Sequence, residues 1–168
     1  MTGTDTAIAD LTESSATPSA PRSAAIPYLT VPNARAAIAW YLDALGAVHV
    51  GEPIVMDDGR IGHAELAIGD GVFYLADEYP EIGLKAPSPQ QNSITLMLHV
   101  SDTDAALTRA RGHGGRVQQE AYEAHGSRSA AIVDPSGHRW ILSGPPTGAA
   151  PPIQHRAVGN VTVRVPDA

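Results

Sequence analysis

The sequence predicts an α+β fold built from two βαβββ modules, and three observations carry that reading. A strand-like run, an amphipathic helix and three further strand-like runs follow one another twice within 168 residues. The interval from the end of the first strand to the glycine that stops the helix is the same in both halves, Val31 to Gly46 and Val100 to Gly115. Asp-Gly and Gly-Asp-Gly turn signals divide the later strands.

The first module opens at IPYLTV, 26–31, where apolar and polar residues alternate. A helix is expected over 33–45. Asn33 can cap it, Ile38, Tyr41, Leu42 and Leu45 fall on one stripe, and Gly46 can end it. Three alternating runs follow, AVHVGEPIVM, RIGHAELAI and VFYLAD, divided by Asp58-Gly59 and by Gly69-Asp70-Gly71. A polar, proline-containing link, EYPEIGLKAPSPQQN, leads to ITLMLHV at 94–100 and to a second helix with Asp102 at its cap and glycines at its end. RVQQEAY, SRSAAIV and HRWILSG supply the last three strands, the final pair joined by the turn Asp134-Pro135-Ser136-Gly137. Residues 24–144 therefore form the domain, with modules over about 25–78 and 93–144.

The flanks read differently. Residues 1–23 are rich in Thr, Ser, Ala and Pro with few large apolar side chains, so ordering them costs more entropy than their burial returns, and a disordered arm is expected. Residues 145–158 form a Pro/Gly/Ala linker. At 159–168, GNVTVRVPDA repeats the PYLTVPNA of the first strand, with Val165 on Val31 and Asp167 on Asn33. It is expected to be an orphan strand, the start of a further module, either disordered or added to a sheet edge.

Composition removes several function classes. Eleven Lys and Arg against eighteen Asp and Glu leave a net charge of −7 with no basic cluster to neutralise phosphates, so nucleic acid is not an expected partner. No apolar run reaches membrane-spanning length and no signal-peptide pattern opens the chain, so a cytoplasmic location and no membrane partner are expected. The absence of cysteine excludes disulfides, thiolate metal sites and cysteine nucleophiles. No Ser-His-Asp order, P-loop or dinucleotide glycine pattern is present.

With WYLDALGA in the first helix, DGRIGHAELAIGDGVFYLAD in the hairpins and DPSGHRW before the last strand, residues 25–144 resemble the vicinal oxygen chelate superfamily. That group includes glyoxalase I, bleomycin-resistance proteins and extradiol dioxygenases, and the match is nearest its PhnB-like branch, which includes tandem members. The resemblance implies a cupped mixed sheet enclosing a cavity, and a homodimer. In the family's metalloenzymes the first and fourth strands of each module supply one metal ligand each. Those positions here are Ile26, Tyr74, Thr95 and Ile141, none of them His, Asp or Glu, so no metal or other cofactor is expected at the inherited site.

Strand parity then assigns the cavity lining. If Ile26 faces the cavity, so do Tyr28 and Thr30, and the Gly-Asp-Gly hairpin puts Tyr74 on one face with His63 and Glu65. Thr95, Met97 and His99 face inward from the fifth strand, and Arg139, Ile141 and Ser143 from the eighth. Tyr28, Tyr74, Met97 and Ile141 offer apolar contact, while His63, Glu65, His99 and Arg139 can orient polar groups. His63 and Glu65 suit either an ion pair in a wet cleft or an acid/base couple. His99 and Thr95 can instead be satisfied across strands, or His99 can join His63 and Glu65 in a displaced metal site. His125-Gly126 suits a loop that closes over the pocket or an exposed turn, and Trp40 suits either a subunit contact or burial against the helix.

Three functions remain open on this reading. The first is a metal-free protein that binds a small, partly aromatic, potentially cationic molecule, sequestering an antibiotic or toxic metabolite. The second is a lyase-, isomerase- or dioxygenase-like enzyme using His63 or Glu65, with or without a metal at a non-family site. The third is an assembly or sensing module with a vestigial cavity.

Overall fold

The computed structural model describes residues 25–88 and 91–148. The arm at 1–23, most of the linker and the strand expected at 159–168 lie outside the described residues. The first module comprises β1 (Tyr28–Val31), α1 (Ala34–Leu45), β2 (Val48–His49), β3 (Ile54–Val55), β4 (Ile61–Ile68) and β5 (Gly71–Asp77). A single 3-10 turn, Pro80–Ile82, leads to the second: β6 (Thr95–His99), α2 (Thr103–Gly112), β7 (Arg116–Ala124), β8 (Ser127–Val133) and β9 (Arg139–Gly144). Both helices begin as the sequence suggests. Asn33 Oδ1 accepts from Ala36 N and Asp102 Oδ1 from Ala105 N, both at 3.0 Å. Gly46 ends α1 in the left-handed region at φ 71°, a conformation glycine adopts without a Cβ penalty.

The modules repeat one sheet plan. The first sheet has the order β1-β5-β4-β2, with β3 also on β4, and the second has β6-β9-β8-β7. The first and last strands of each module run parallel, Tyr28 opposite Tyr74 and Met97 opposite Ile141. The run expected to be one strand at 47–56 is instead two short strands, interrupted where Gly51 and Pro53 break the ladder.

The two sheets are not hydrogen-bonded to each other, and the helices lie between them. Leu29, Val31, Leu66, Phe73 and Leu75 of the first sheet and Ile132, Trp140 and Leu142 of the second share one core with Tyr41, Ala44, Leu107 and Ala110 of the helices. Tyr41, Phe73 and Trp140 meet there edge to face or tilted, with centroids 5.2–5.8 Å apart. Trp40 is buried too, its Nε1 donating to the His113 carbonyl at 2.9 Å, which removes it from the surface where a subunit contact would need it.

One buried carboxylate joins the halves. Asp134, 4% exposed, begins the β8–β9 turn and accepts from Tyr41 Oη at 2.7 Å, Trp140 Nε1 at 2.9 Å, and the backbone N–H groups of Ser136 and His138 at 2.9 Å. Four donors on two oxygens satisfy the charge without a cation. Burial, then the charge of Asp134 and the hydrogen bond to it, push the Tyr41 phenol well above the ordinary tyrosine range. Gly137, at φ 97°, closes the same turn where a Cβ would stand 2.7 Å from the Pro87 carbonyl oxygen.

Asp134→Asn keeps the volume but turns an amide NH2 toward two N–H or O–H donors, and should cost about 3 kcal/mol. Tyr41→Phe leaves the carboxylate three donors and should cost about 1–2 kcal/mol. Urea unfolding followed by the fluorescence of Trp40 and Trp140 reads both, and wild-type stability in Asp134→Asn would show that the carboxylate does not hold the modules together.

Candidate functional site

The outward face of the first sheet carries a polar chain. Tyr28 Oη lies 2.8 Å from His63 Nδ1, and His63 Nε2 lies 3.1 Å from Glu65 Oε1. The β4–β5 hairpin fixes this arrangement, because its two-residue turn sets Glu65 opposite Tyr74 and β1 sets Tyr28 opposite Tyr74 on the other side. The rings of Tyr28, His63 and Tyr74 pack edge to face at 4.9–5.8 Å. Tyr28 Oη also donates toward the Gly62 carbonyl at 3.1 Å. With the imidazole neutral and its Nε2–H on Glu65, the Tyr28 hydroxyl has one proton for two acceptors, His63 Nδ1 and Gly62 O. Partial burial, and secondarily the neighbouring Tyr79 phenol, raise the Tyr28 hydroxyl above the ordinary tyrosine range, so it remains a protonated phenol at neutral pH.

Beside this chain is a hollow of about 550 Å3. Tyr28, Thr30, Gly62, His63 and Ala76 form its floor, Ile54 and Met56 one lip, and Tyr79, Ile82 and Leu84 its roof. The roof is the start of the segment expected to be a polar link. Tyr79 N donates to the Leu84 carbonyl at 2.9 Å and Leu84 N returns to Tyr79 O at 3.1 Å, closing a loop around the 3-10 turn. Arg60 fastens it to the sheet. Its Nε donates to Asp58 Oδ2 at 2.7 Å, Nη1 to the Glu78 carbonyl at 3.0 Å and Nη2 to Glu81 Oε1 at 2.7 Å, while its guanidinium carbon sits 3.8 Å from the Tyr79 ring centroid. The roof residues were missed because the link was read by its prolines and charges. Tyr79, Ile82 and Leu84 around Gly83 were the available signal, an apolar cluster on a turn.

The residues expected to line one cavity divide between two places. Tyr28, Thr30, His63, Glu65 and Tyr74 lie together on the first sheet. Thr95, Met97, His99, Arg139 and Ile141 share the outward face of the second, where Arg139 donates from Nη1 to Thr95 Oγ1 at 2.9 Å and from Nε to Gln118 Oε1 at 2.6 Å. The two groups stand on different sheets, with Tyr28, Thr30 and His63 at the first hollow. Thr95, Met97 and His99 instead border a separate hollow of about 580 Å3, between β6 and the β4–β5 turn. His125 occupies the tip of the β7–β8 hairpin at φ 51°, exposed and followed by Gly126 at φ 77°, so it turns the hairpin and does not cover the first hollow.

The donor set does not fit a metal. Ile26 and Ile141 have no lone pair to offer, and Tyr74 and Thr95 stand on different sheets. Among the described residues no three His, Asp or Glu side chains gather as a metal would need, and His99 lies on the other sheet from His63 and Glu65. Among the same residues no helix is long and apolar enough to cross a membrane.

Comparison with known proteins agrees with the fold. A family model described as a glyoxalase-like domain matches residues 28–143. Uncharacterized proteins of Mycobacterium bovis and Mycobacterium tuberculosis are each 34% identical over 124 residues, covering 71% of this chain and 81% and 72% of theirs. Among solved structures, a hypothetical protein of S. aureus superposes with a TM-score of 0.59 at 18% identity, over 74% of this chain and 95% of that one. TioX from Micromonospora gives 0.56 at 20% identity, over 76% and 100%. The fosfomycin resistance protein FosX from Mesorhizobium loti gives 0.55 at 12% identity, over 73% and 92%. The chain belongs to the glyoxalase-like domain family.

Proposed function

We propose that the chain binds a small, largely apolar molecule in the hollow of its first module, without a metal. The observation that carries this is the hollow itself: drug-sized, walled by Ile54, Met56, Ile82 and Leu84, and floored by the oriented hydroxyl and imidazole of Tyr28 and His63. Sequestration of an antibiotic or toxic metabolite needs affinity and no chemistry, and the resistance proteins among the structural neighbours make that a natural role. The lining contains no Lys or Arg, so a ring system with few charges suits it better than a small phosphonate.

Thermal shift against a panel of aromatic natural products tests the reading, and a flat response across the panel would count against it. Ile54 is 56% exposed on the lip. Ile54→Asp should therefore abolish a ligand-induced shift while changing ligand-free stability by no more than about 0.5 kcal/mol.

The Tyr28–His63–Glu65 chain supports a second reading, removal of a proton from a bound substrate. Tyr28 takes that proton as its own passes to the unprotonated Nδ1 of His63, and the imidazolium so formed is stabilised by Glu65. On this reading His63→Ala abolishes turnover of a substrate without weakening its binding; equal losses of both would leave His63 as a binding residue only.

The roof gives a pH test. Hydrogen bonds from Arg60 hold the carboxyls of Asp58 and Glu81 below the ordinary carboxylate range. Their contribution to the closed roof is complete above that range and is lost as the pH falls through the lowered values. The Arg60 Nε–H NMR signal should thus be unchanged from neutral to mildly acidic pH and shift only below it. A transition near neutrality would assign the closure to another group.

A further inference from the structure

Three polar atoms meet at the floor of the first hollow: Tyr28 Oη, His63 Nδ1 and the Gly62 carbonyl oxygen, all from residues that line it. Tyr28 is 53% exposed and Gly62 and His63 are half-buried, so this group is open to a molecule seated on the floor. A bulge brings Gly62 into it. The consecutive residues Ile54 and Val55 of β3 face His63 and Ile61 of β4, which leaves Gly62 without a partner there, and the β4–β5 register begins only at Ala64. The Gly62 carbonyl meets the Tyr28 hydroxyl instead, at 3.1 Å.

Counting protons here gives a deficit of one. Glu65 holds the Nε2–H of the neutral imidazole, so His63 Nδ1 is an acceptor, as is the Gly62 oxygen. The Tyr28 hydroxyl has a single proton for the pair, and whichever atom takes it, the other is left over. While the hollow is open, solvent meets that need. A ligand that covers the floor has to bring a proton of its own or bury an acceptor unpaired. We propose that the hollow selects ligands bearing an N–H or O–H donor on an otherwise apolar ring system, because its polar end holds one acceptor more than it has protons. The inference rests on the reading of the hollow as a ligand site, and adds to it the chemical class that the site prefers.

Titration of the full chain with indole and with benzofuran, bicyclic rings of one shape in which an N–H is exchanged for an oxygen, tests it. Amide NMR follows the binding at about pH 8, above the ordinary histidine range. Both probes should move the Gly62 and His63 signals, and wild type should bind indole about tenfold more tightly, the ratio that one satisfied hydrogen bond supports. His63→Phe keeps a ring against Tyr28 and Tyr74 but removes one acceptor, so the phenol proton then suffices and the two affinities should come within about twofold. Tyr28→Phe removes the proton and keeps both acceptors, so the preference for indole should persist at about tenfold or more. Equal affinities in wild type, a preference that survives in His63→Phe, or one that vanishes in Tyr28→Phe overturns the proposal while leaving the hollow a binding site. Should a variant not fold, the wild-type ratio decides alone. Binding of neither probe, or signal shifts confined to residues away from the hollow, defeats the reading of the hollow and this inference with it.

Discussion

The carboxylate of Asp134 is the contact on which the arrangement of the chain depends. It begins a turn in the second module and accepts a hydrogen bond from a tyrosine on the helix of the first. A charge at that depth is tolerated only because four donors surround it, and those donors come from α1, β9 and the turn. Neighbouring contacts act in the same direction. His138 Nε2 donates to the Thr30 carbonyl at 3.0 Å, and Arg109 Nε donates to the Ala44 carbonyl at 2.8 Å. Tied at these points, the helices and the Tyr41–Phe73–Trp140 cluster occupy the space between the sheets, and each sheet turns its other face outward. The two outward faces are thereby kept apart, each bordering its own hollow.

The first module roofs its hollow from its own sequence. Asp77, at the end of β5, accepts from Ala34 N and Ile61 N, both at 2.6 Å, which pins the start of α1 to the start of β4. Immediately beyond, Glu78 N donates to the Val31 carbonyl at 3.0 Å, and the chain folds back over the sheet. Individually, exposed ion pairs such as Arg60–Asp58 and Arg60–Glu81 contribute little. Here one guanidinium serves two carboxylates, a carbonyl and an aromatic face, so its ordering cost is shared among four contacts.

Much of this was legible in the sequence. The caps at Asn33 and Asp102, the left-handed Gly46 and the two-residue hairpin turn follow from local chemistry, and the structure realises them. Parity also carried far, because a side-chain period of two leaves no freedom once a hairpin turn is placed. It is why Tyr28, His63, Glu65 and Tyr74 could be grouped from sequence. What parity does not carry is the identity of whatever lies above a face. The same counting grouped Thr95, Met97 and Arg139 correctly on their own sheet and said nothing of the helices that separate the two groups. The roof escaped for a related reason: Tyr79, Ile82 and Leu84 have no period of their own, and their place over the sheet depends on Arg60, nineteen or more positions earlier in the chain.

The internal repeat gives the location of the site its strongest argument. Superposing the two ladders by register puts Tyr28 on Met97 and Tyr74 on Ile141, and, on the adjoining strands, Glu65 on Ala131 and His63 on Ser129. None of these counterparts can stack a ring, and Ser129 alone among them keeps a side-chain hydrogen-bonding group. The divergence continues at the strand end. Asp77, which organises the first module, corresponds to Gly144, where a Cβ would stand 2.7 Å from the Val100 carbonyl oxygen and 2.9 Å from Thr103 Oγ1. One module uses that position for a carboxylate that links helix and strand, and the other uses it for close backbone approach. Two copies of one architecture have therefore taken different work. The second supplies Asp134, and the first holds a hydroxyl, an imidazole and a carboxylate in line on its outward face.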